Sequence, residues 1–193
     1  MENSEPIHDK KELVIIGGPN GSGKSTFARS YLALHPMDYL NADDIAKELN
    51  PEEMDKAKFM AGRVFFRKLN MFLEQEKSVM IESTLSGIYL NKLIPFFHDH
   101  GYEVVLVYVF LYSPKVCIER IKERVLKGGH FVPDKDVERR YYRSKENFWN
   151  NYKNQADKWF LVYNSENKFL EIALGIKNHF SIKNKEYFYK FVE

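Results

Sequence analysis

Eight residues near the start of the chain, Gly18 to Ser25, carry the side chains and spacing best suited to chemistry. Their order is Gly-Pro-Asn-Gly-Ser-Gly-Lys-Ser. The glycines permit a loop whose N–H groups turn inward around phosphate oxygens, because Cβ atoms would obstruct that backbone shape. Lys24 supplies an ammonium for the β- and γ-phosphates and Ser25 a hydroxyl for Mg²⁺. The motif predicts a site for ATP and Mg²⁺, formed by Gly18, Pro19, Asn20, Gly21, Ser22, Gly23, Lys24, Ser25 and Thr26.

Carboxylates follow two of the strands that the sequence predicts. Asp43 and Asp44 follow the second strand, at the edge of a parallel sheet where ligands bind, and Asp43 is the candidate base that takes the proton of an acceptor hydroxyl. The alternative is that both are first-turn carboxylates that stabilise a helix dipole. Glu82 and Thr84 lie at the end of the third strand. Glu82 is a candidate for holding the acceptor or a metal-bound water, and Thr84 for a hydrogen bond to the acceptor. The alternative is that they only form a polar strand end.

Arginines flank the glycine pair Gly128-Gly129, which separates two predicted helices. If the pair is a hinge, closing the segment of about residues 120–150 over the nucleotide would bring guanidinium groups onto the transferred phosphate and expel water. Arg124 and Arg140 are the candidates for this catalytic role. The alternative for each is a solvated arginine on a helix surface, with its stem on apolar neighbours.

Strands and helices alternate along the chain. Strands are predicted at 13–16, 37–40, 78–83, 103–111 and 159–163, and helices at 24–34, 41–50, 51–77, 89–100, 114–127 and 134–150. The alternation predicts an α/β, P-loop kinase-like three-layer fold with a mainly parallel five-stranded sheet and a helical lid. Segments 169–176 and 180–182 are predicted as a small antiparallel addition around a turn at 177–179.

Length and composition favour one domain over residues 1–193, with a flexible N-terminus of about ten residues. The formal net charge of +2 gives no electrostatic reason to expect a nucleic-acid partner. Cys117 is the only cysteine, which excludes an intramolecular disulfide and fits a reducing compartment. The apolar run at 13–16 is too short for a signal peptide or a membrane span. We therefore expect a cytoplasmic protein without a membrane partner.

Four segments together resemble the zeta-toxin family of P-loop kinases: 18–26, 41–46 (Asn-Ala-Asp-Asp-Ile-Ala), 82–85 (Glu-Ser-Thr-Leu) and 128–133 (Gly-Gly-His-Phe-Val-Pro). The resemblance implies an ATP-dependent kinase in which Asp43 is the base, Glu82 and Thr84 hold the acceptor, and lid arginines steady the γ-phosphate. In the family's known toxins the acceptor is the 3′-hydroxyl of the amino sugar of UDP-N-acetylglucosamine, and a small helical antitoxin restrains the enzyme. His130 stands at the lid position where those toxins carry an arginine, and it joins the substrate-binding candidates.

Three other functions are compatible with these residues. The first is a small-molecule or nucleoside-type kinase of the same architecture, and the second is a regulatory module that holds ATP without transferring its phosphate. The third is a polynucleotide 5′-hydroxyl kinase, which is disfavoured because the sequence has no basic stripe with interleaved aromatic residues.

Overall fold

A seven-stranded sheet with helices on both faces forms the protein. The computed structural model describes residues 10–165, 168–177 and 179–193. The flexible N-terminus predicted at about residues 1–10 falls on residues 1–9, outside the described residues. Asn178, in the middle of the predicted turn at 177–179, lies outside them as well.

Most of the predicted elements are present, with boundaries shifted by a few residues. The strands are Glu12–Gly17 (β1), Asp38–Leu40 (β2), Val79–Ser83 (β3), Glu103–Phe110 (β4), Lys158–Asn164 (β5), Phe169–Ile176 (β6) and His179–Ile182 (β7). The helices are Lys24–Leu34 (α1), Ala42–Leu49 (α2), Met54–Glu74 (α3), Leu90–Asp99 (α4), Pro114–Leu126 (α5), Asp134–Asn147 (α6), Lys153–Gln155 (α7) and Lys185–Val192 (α8). A π-helical segment, Phe148–Tyr152, joins α6 to α7.

The strands lie in the order β2-β3-β1-β4-β5-β6-β7. The first five are parallel, whereas β6 pairs with β5, and β7 with β6, in the antiparallel sense. The prediction of a five-stranded sheet is therefore wrong in its count. The expected antiparallel addition exists, but it extends the main sheet because the chain returns directly beside β5 after a short connection.

Alternation along β1 explains why the sheet is covered on both faces. Leu13 and Ile15 point into the core shared with α2, α3, α4 and α8, while Val14 and Ile16 point into the core under α1. All four side chains are fully buried, as expected for a central parallel strand. This packing holds the carboxyl end of β1, and thus the glycine loop that follows it, against a rigid layer.

Helix α8 has no counterpart in the sequence prediction. It begins after Asn184, whose side chain accepts a hydrogen bond from Tyr187 N at 3.1 Å, and it buries Phe188 and Phe191 in the main core. Phe191 packs its ring against Tyr108, Phe110, Phe148 and Trp149. No helix among the described residues is long and apolar enough to cross a membrane.

The helix predicted at 134–150 changes character near its end. It is α-helical to Asn147 and then widens into the π-helical segment, which places Phe148 and Tyr152 fully inside the core. Tyr152 Oη donates to Gly87 O at 2.5 Å, and Asn147 Nδ2 donates to Leu85 O at 2.7 Å. The segment therefore anchors the loop between β3 and α4, directly after the candidate residues Glu82 and Thr84.

Candidate active site

The glycine loop connects β1 to α1 and needs its glycines for two separate reasons. Gly18, Gly21 and Gly23 have φ values of 140°, 81° and 94°, in the range that favours glycine. A Cβ atom on Gly18 would lie 2.1 Å from Val109 O, and one on Gly21 would lie 2.5 Å from Cys117 O. The loop is thus in close contact with the end of β4 and with α5, and no other residue type fits at these positions.

Two side chains from distant parts of the chain hold the loop. Asn164 Nδ2, at the end of β5, donates to Ser22 O at 2.8 Å, and Arg140 Nη1, on α6, donates to Asn20 Oδ1 at 3.2 Å. Asn20 and Ser22 are both buried, and the hydroxyl of Ser22 has no hydrogen-bond partner among the described residues. The sequence analysis did not identify Asn164, and its position at the end of a strand next to β4 was the available signal.

Lys24 carries the charge around which the site is arranged. Its ammonium donates to Pro19 O at 3.0 Å. Burial lowers the pKa of Lys24, the nearby carboxylates of Glu82 and Asp43 oppose that shift, and Arg124 adds to it. The structure therefore brings three of the predicted residues, from α2, β3 and α5, within electrostatic reach of one ammonium.

Glu82 accepts hydrogen bonds from two hydroxyl groups. Ser25 Oγ donates to Glu82 Oε2 at 3.1 Å, and Tyr39 Oη donates to Glu82 Oε1. Burial and the neighbouring Glu82 carboxylate raise the pKa of Tyr39, so the phenol remains a donor across the physiological range. Ser25 is the predicted Mg²⁺ ligand and Glu82 the predicted partner of the acceptor or of a metal-bound water, and the structure brings the two side chains together. Tyr39 is an addition that the sequence analysis missed.

A cleft of about 1910 Å³ opens above the loop at the carboxyl edge of the parallel strands. Its walls come from the loop, α2, the end of β3, α5, the segment after α5 and the end of β5. The predicted residues that line it are Asn20, Gly21, Gly23, Lys24, Ser25, Thr26, Asp43, Glu82, Thr84, Arg124 and His130. Gly18, Pro19 and Ser22 form the buried base of the loop. Arg140 is not part of the cleft wall and reaches the loop only through Asn20.

Helix α2 presents its first turn to the cleft. Asn41 caps it by accepting a hydrogen bond from Asp43 N at 2.9 Å, and both Asp43 and Asp44 line the cleft. Burial raises the pKa of Asp44, an effect that the nearby Arg29 opposes. Both carboxylates also lie in the first turn of the helix. They can therefore stabilise the helix dipole and line the cleft at the same time.

The segment between α5 and α6 brings Arg124 to the cleft. Arg124 Nη2 donates to His130 O at 2.7 Å, and Gly129 N donates to Arg124 O at 2.9 Å. A Cβ atom on Gly129 would lie 2.5 Å from Arg124 Cγ, and Gly128 has a φ of 80°. Arg120, one turn before Arg124, also lines the cleft, and it is not among the predicted catalytic residues. Movement of this segment as a lid stays a prediction.

The residues present fit ATP and Mg²⁺, the groups that the glycine loop implies. The ammonium of Lys24 donates to a single carbonyl among the described residues, which leaves donor directions for phosphate oxygens. The hydroxyl of Ser25 directs its proton to Glu82, so its lone pairs are available to a cation. In the described part of the chain no three His, Cys, Asp or Glu side chains gather as a metal site. A cation would therefore also need oxygens from phosphate and water.

Comparisons with known proteins agree with this geometry. A family model described as an AAA domain (AAA_33) matches residues 13–147. An uncharacterised protein of Haemophilus influenzae is 34% identical over 132 residues, which cover 68% of this chain and 94% of that protein. Its description adds no activity to the comparison.

Solved structures show the fold. The structure of AvrRxo1-ORF1:-ORF2 with ATP superposes with a TM-score of 0.75 at 16% identity, over 95% of this chain and 64% of the matched chain. This chain therefore spans less than two thirds of the length of that one. A structure of the PezAT toxin-antitoxin system of Streptococcus pneumoniae superposes with a TM-score of 0.60 at 15% identity, over 84% of this chain and 72% of that one. The fold is an α/β P-loop kinase-like fold.

Proposed function

The chain belongs to the AAA_33 family of AAA domains, and from that premise we propose that it is a kinase that transfers the γ-phosphate of ATP to a hydroxyl group of a small acceptor. One observation carries the proposal. The electrostatic environment of Lys24 includes Glu82, Asp43 and Arg124, so a phosphate-binding cation, a candidate base and a lid arginine share one cleft. In a module that only held nucleotide, the Asp43 carboxylate would serve the helix dipole alone.

Each of these residues has a defined task in the proposed reaction. MgATP supplies the phosphoryl group and an electrophilic phosphorus when it is bound. The loop N–H groups and the Lys24 ammonium bind and orient the phosphates, and Ser25 offers a hydroxyl oxygen to the cation. Asp43 accepts the proton of the acceptor hydroxyl at its carboxylate as that oxygen attacks the γ-phosphorus; the bond from the γ-phosphorus to the β–γ bridging oxygen breaks, and ADP leaves. Arg124 stabilises the charge of the transferred group, because a guanidinium supplies several donors in a fixed geometry.

The acceptor that we propose first is a sugar nucleotide, and specifically UDP-N-acetylglucosamine. The support is the resemblance of the motifs to the zeta-toxin kinases and the likeness of the fold to the PezAT structure. On this proposal Glu82, Thr84 and His130 bind the acceptor. A small helical antitoxin is the corresponding protein partner. A small polyol or a nucleoside is the alternative acceptor, and it would occupy the same space between Asp43, Thr84 and the segment after α5.

A phosphorylation screen tests the proposal directly. The purified protein is incubated with γ-labelled ATP and Mg²⁺ against sugar nucleotides, nucleosides, small polyols and a 5′-hydroxyl oligonucleotide, with Lys24→Ala as the inactive control. Transfer to a sugar nucleotide by the wild type alone is expected. Transfer to another class would reject the zeta-type acceptor and keep the kinase. ATP binding without transfer to any acceptor would favour the regulatory module.

A further inference from the structure

Tyr39 does not line the cleft, but its phenol contacts Glu82, which does. It is the second residue of β2, where it pairs with Met80 of the neighbouring strand, and its side chain is half-buried. It is not among the residues that line the cleft. Its phenol donates to Oε1 of Glu82, the oxygen that Ser25 does not use. Tyr39 therefore contacts the site through a carboxylate that lines the cleft.

The same hydroxyl accepts a hydrogen bond from the next loop. Asn41 Nδ2 donates to Tyr39 Oη at 3.3 Å, while Asn41 Oδ1 accepts from Asp43 N at 2.9 Å. A continuous chain of four hydrogen bonds thus runs from Ser25 through Glu82, Tyr39 and Asn41 to the backbone of Asp43. It joins the first turn of α1, which carries Ser25, to the end of β3, to β2 and to the start of α2, which carries the candidate base Asp43.

We propose that Tyr39 is a positioning residue: it holds one carboxylate oxygen of Glu82 so that the other stays directed at Ser25, and through Asn41 it sets the start of the helix that carries Asp43. A glutamate side chain has several rotatable bonds, and a single donor leaves its carboxylate free to turn. Two donors, one on each oxygen, fix the plane of the group. The Ser25 O–H bond then stays directed at Glu82 Oε2, and the serine lone pairs stay toward the cation, which is the effect of partners behind a ligand.

The binding arm of the test uses a non-hydrolysable ATP analogue as the probe, titrated by calorimetry with Mg²⁺ and with EDTA. Tyr39→Phe removes one hydroxyl and keeps the ring. We expect it to reduce the Mg²⁺-dependent gain in affinity about tenfold and to change the affinity in EDTA by less than about twofold. Tyr31→Phe is the matched control, because Tyr31 is also half-buried and makes no side-chain hydrogen bond to a described residue. Its affinities should equal those of the wild type.

A double-mutant cycle with Glu82→Gln separates positioning from a general loss of structure. If Tyr39 acts through Glu82, Tyr39→Phe should have little further effect in the Glu82→Gln background, because coupled residues are not additive. Three results would overturn the proposal. The first is additive losses of affinity in the double mutant, and the second is an equal Mg²⁺-dependent gain in affinity in the wild type and Tyr39→Phe. The third is a wild type whose affinity for the analogue does not respond to Mg²⁺. If Tyr39→Phe fails to fold, Asn41→Ser keeps a helix cap and removes the amide donor, and it should reduce the gain in the same direction.

The catalytic consequence rests on the proposed kinase function and has its own readout. With an acceptor in hand, Tyr39→Phe should lower kcat about tenfold. The calorimetric arm needs no acceptor. If the wild type phosphorylates nothing but Tyr39→Phe still loses Mg²⁺-dependent affinity, the kinase proposal is rejected and the positioning role is supported. If the wild type is an active kinase and Tyr39→Phe changes neither affinity nor kcat, the positioning role is rejected and the kinase proposal is supported.

Discussion

The guanidinium of Arg140 donates to the side-chain oxygen of Asn20 at 3.2 Å, so that α6 is joined to the glycine loop across 120 residues of chain. Asn20 is only 8% exposed, so the hydrogen bond is shielded from water on the Asn20 side. The sequence analysis predicts that Arg140 acts on phosphate. The contact points first to a role in shaping the glycine loop.

The first prediction follows from this contact. Arg140→Ala should weaken binding of an ATP analogue about tenfold, which is the scale of one lost hydrogen bond to a charged donor. Arg139→Ala is the control on the same helix, since Arg139 pairs with Asp136 at the surface. Calorimetry measures the affinity of both variants and of the wild type for the analogue. If Arg140→Ala binds it as tightly as Arg139→Ala, the loop holds its shape without α6.

The second prediction concerns the buried charge of Lys24. Burial lowers its pKa below the ordinary 10.5, so the folded protein carries a destabilised ammonium at neutral pH. Lys24→Met should therefore leave the nucleotide-free Tm unchanged or a few degrees higher, while ATP no longer raises it. The advantage of the variant should be largest below the folded pKa of the lysine and should disappear as pH rises toward 10.5, because the wild-type lysine then becomes neutral. Thermal unfolding across this pH range, with and without ATP, checks both points.

The third prediction separates binding from transfer. Asp43→Asn should keep the affinity for ATP within a few-fold and lower acceptor phosphorylation by about 10² or more, the usual effect of losing a positioned base. Asp44→Asn, the neighbouring carboxylate in the same cleft, should have a much smaller effect on turnover. Similar losses in both variants, or a parallel loss of nucleotide binding in Asp43→Asn, would make Asp43 a structural residue.

The fourth prediction distinguishes the two glycines after α5. Gly128→Ala should cost about 1 kcal/mol of stability, because the residue has a φ of 80°. Gly129→Ala should displace Arg124 and lower turnover several-fold more than nucleotide affinity, since the added methyl group would meet Arg124 Cγ. Gly62→Ala is the control: it lies within α3 with open space around it and should stabilise the protein by about 0.5–1 kcal/mol. Urea denaturation and steady-state kinetics give the two readouts.

The fifth prediction tests the helix that sequence analysis missed. Phe191→Ala should destabilise the protein by about 3 kcal/mol, because a buried ring in contact with four aromatic side chains would leave a cavity. Tyr189→Ala, on the exposed side of α8, should stay within about 0.5 kcal/mol of the wild type. If both variants unfold at the same urea concentration, α8 does not contribute to the core.

The glycine loop and the strands around it were predictable because local signals coincide there. Gly18 to Ser25 follows an apolar strand and precedes a helix, and residue type, spacing and element order all favour the same structure. The carboxyl ends of parallel strands meet at one edge, so Asp43, Glu82 and Thr84 could be placed together without knowledge of the contacts.

The remaining features depend on pairings that periodicity does not encode. Tyr39 acts on Glu82 and Asn164 acts on Ser22 across 43 and 142 residues, and neither side chain belongs to a local motif. The strand count was wrong because β6 could equally have formed a separate hairpin, and only its register with β5 makes it part of the main sheet. Helix α8 had a local signal in the cap at Asn184 and the spacing of Phe188 and Phe191. That signal was passed over.

The long span between the glycine loop and its two holding side chains has a consequence for how the protein is made. The ribosome completes the loop early, but Arg140 and Asn164 are added 120 and 142 residues later. At about 5–20 residues per second, these partners are added roughly 6 to 28 s after the loop. Fragments that end before Arg140 should therefore bind an ATP analogue more weakly than the whole chain and gain less stability from it.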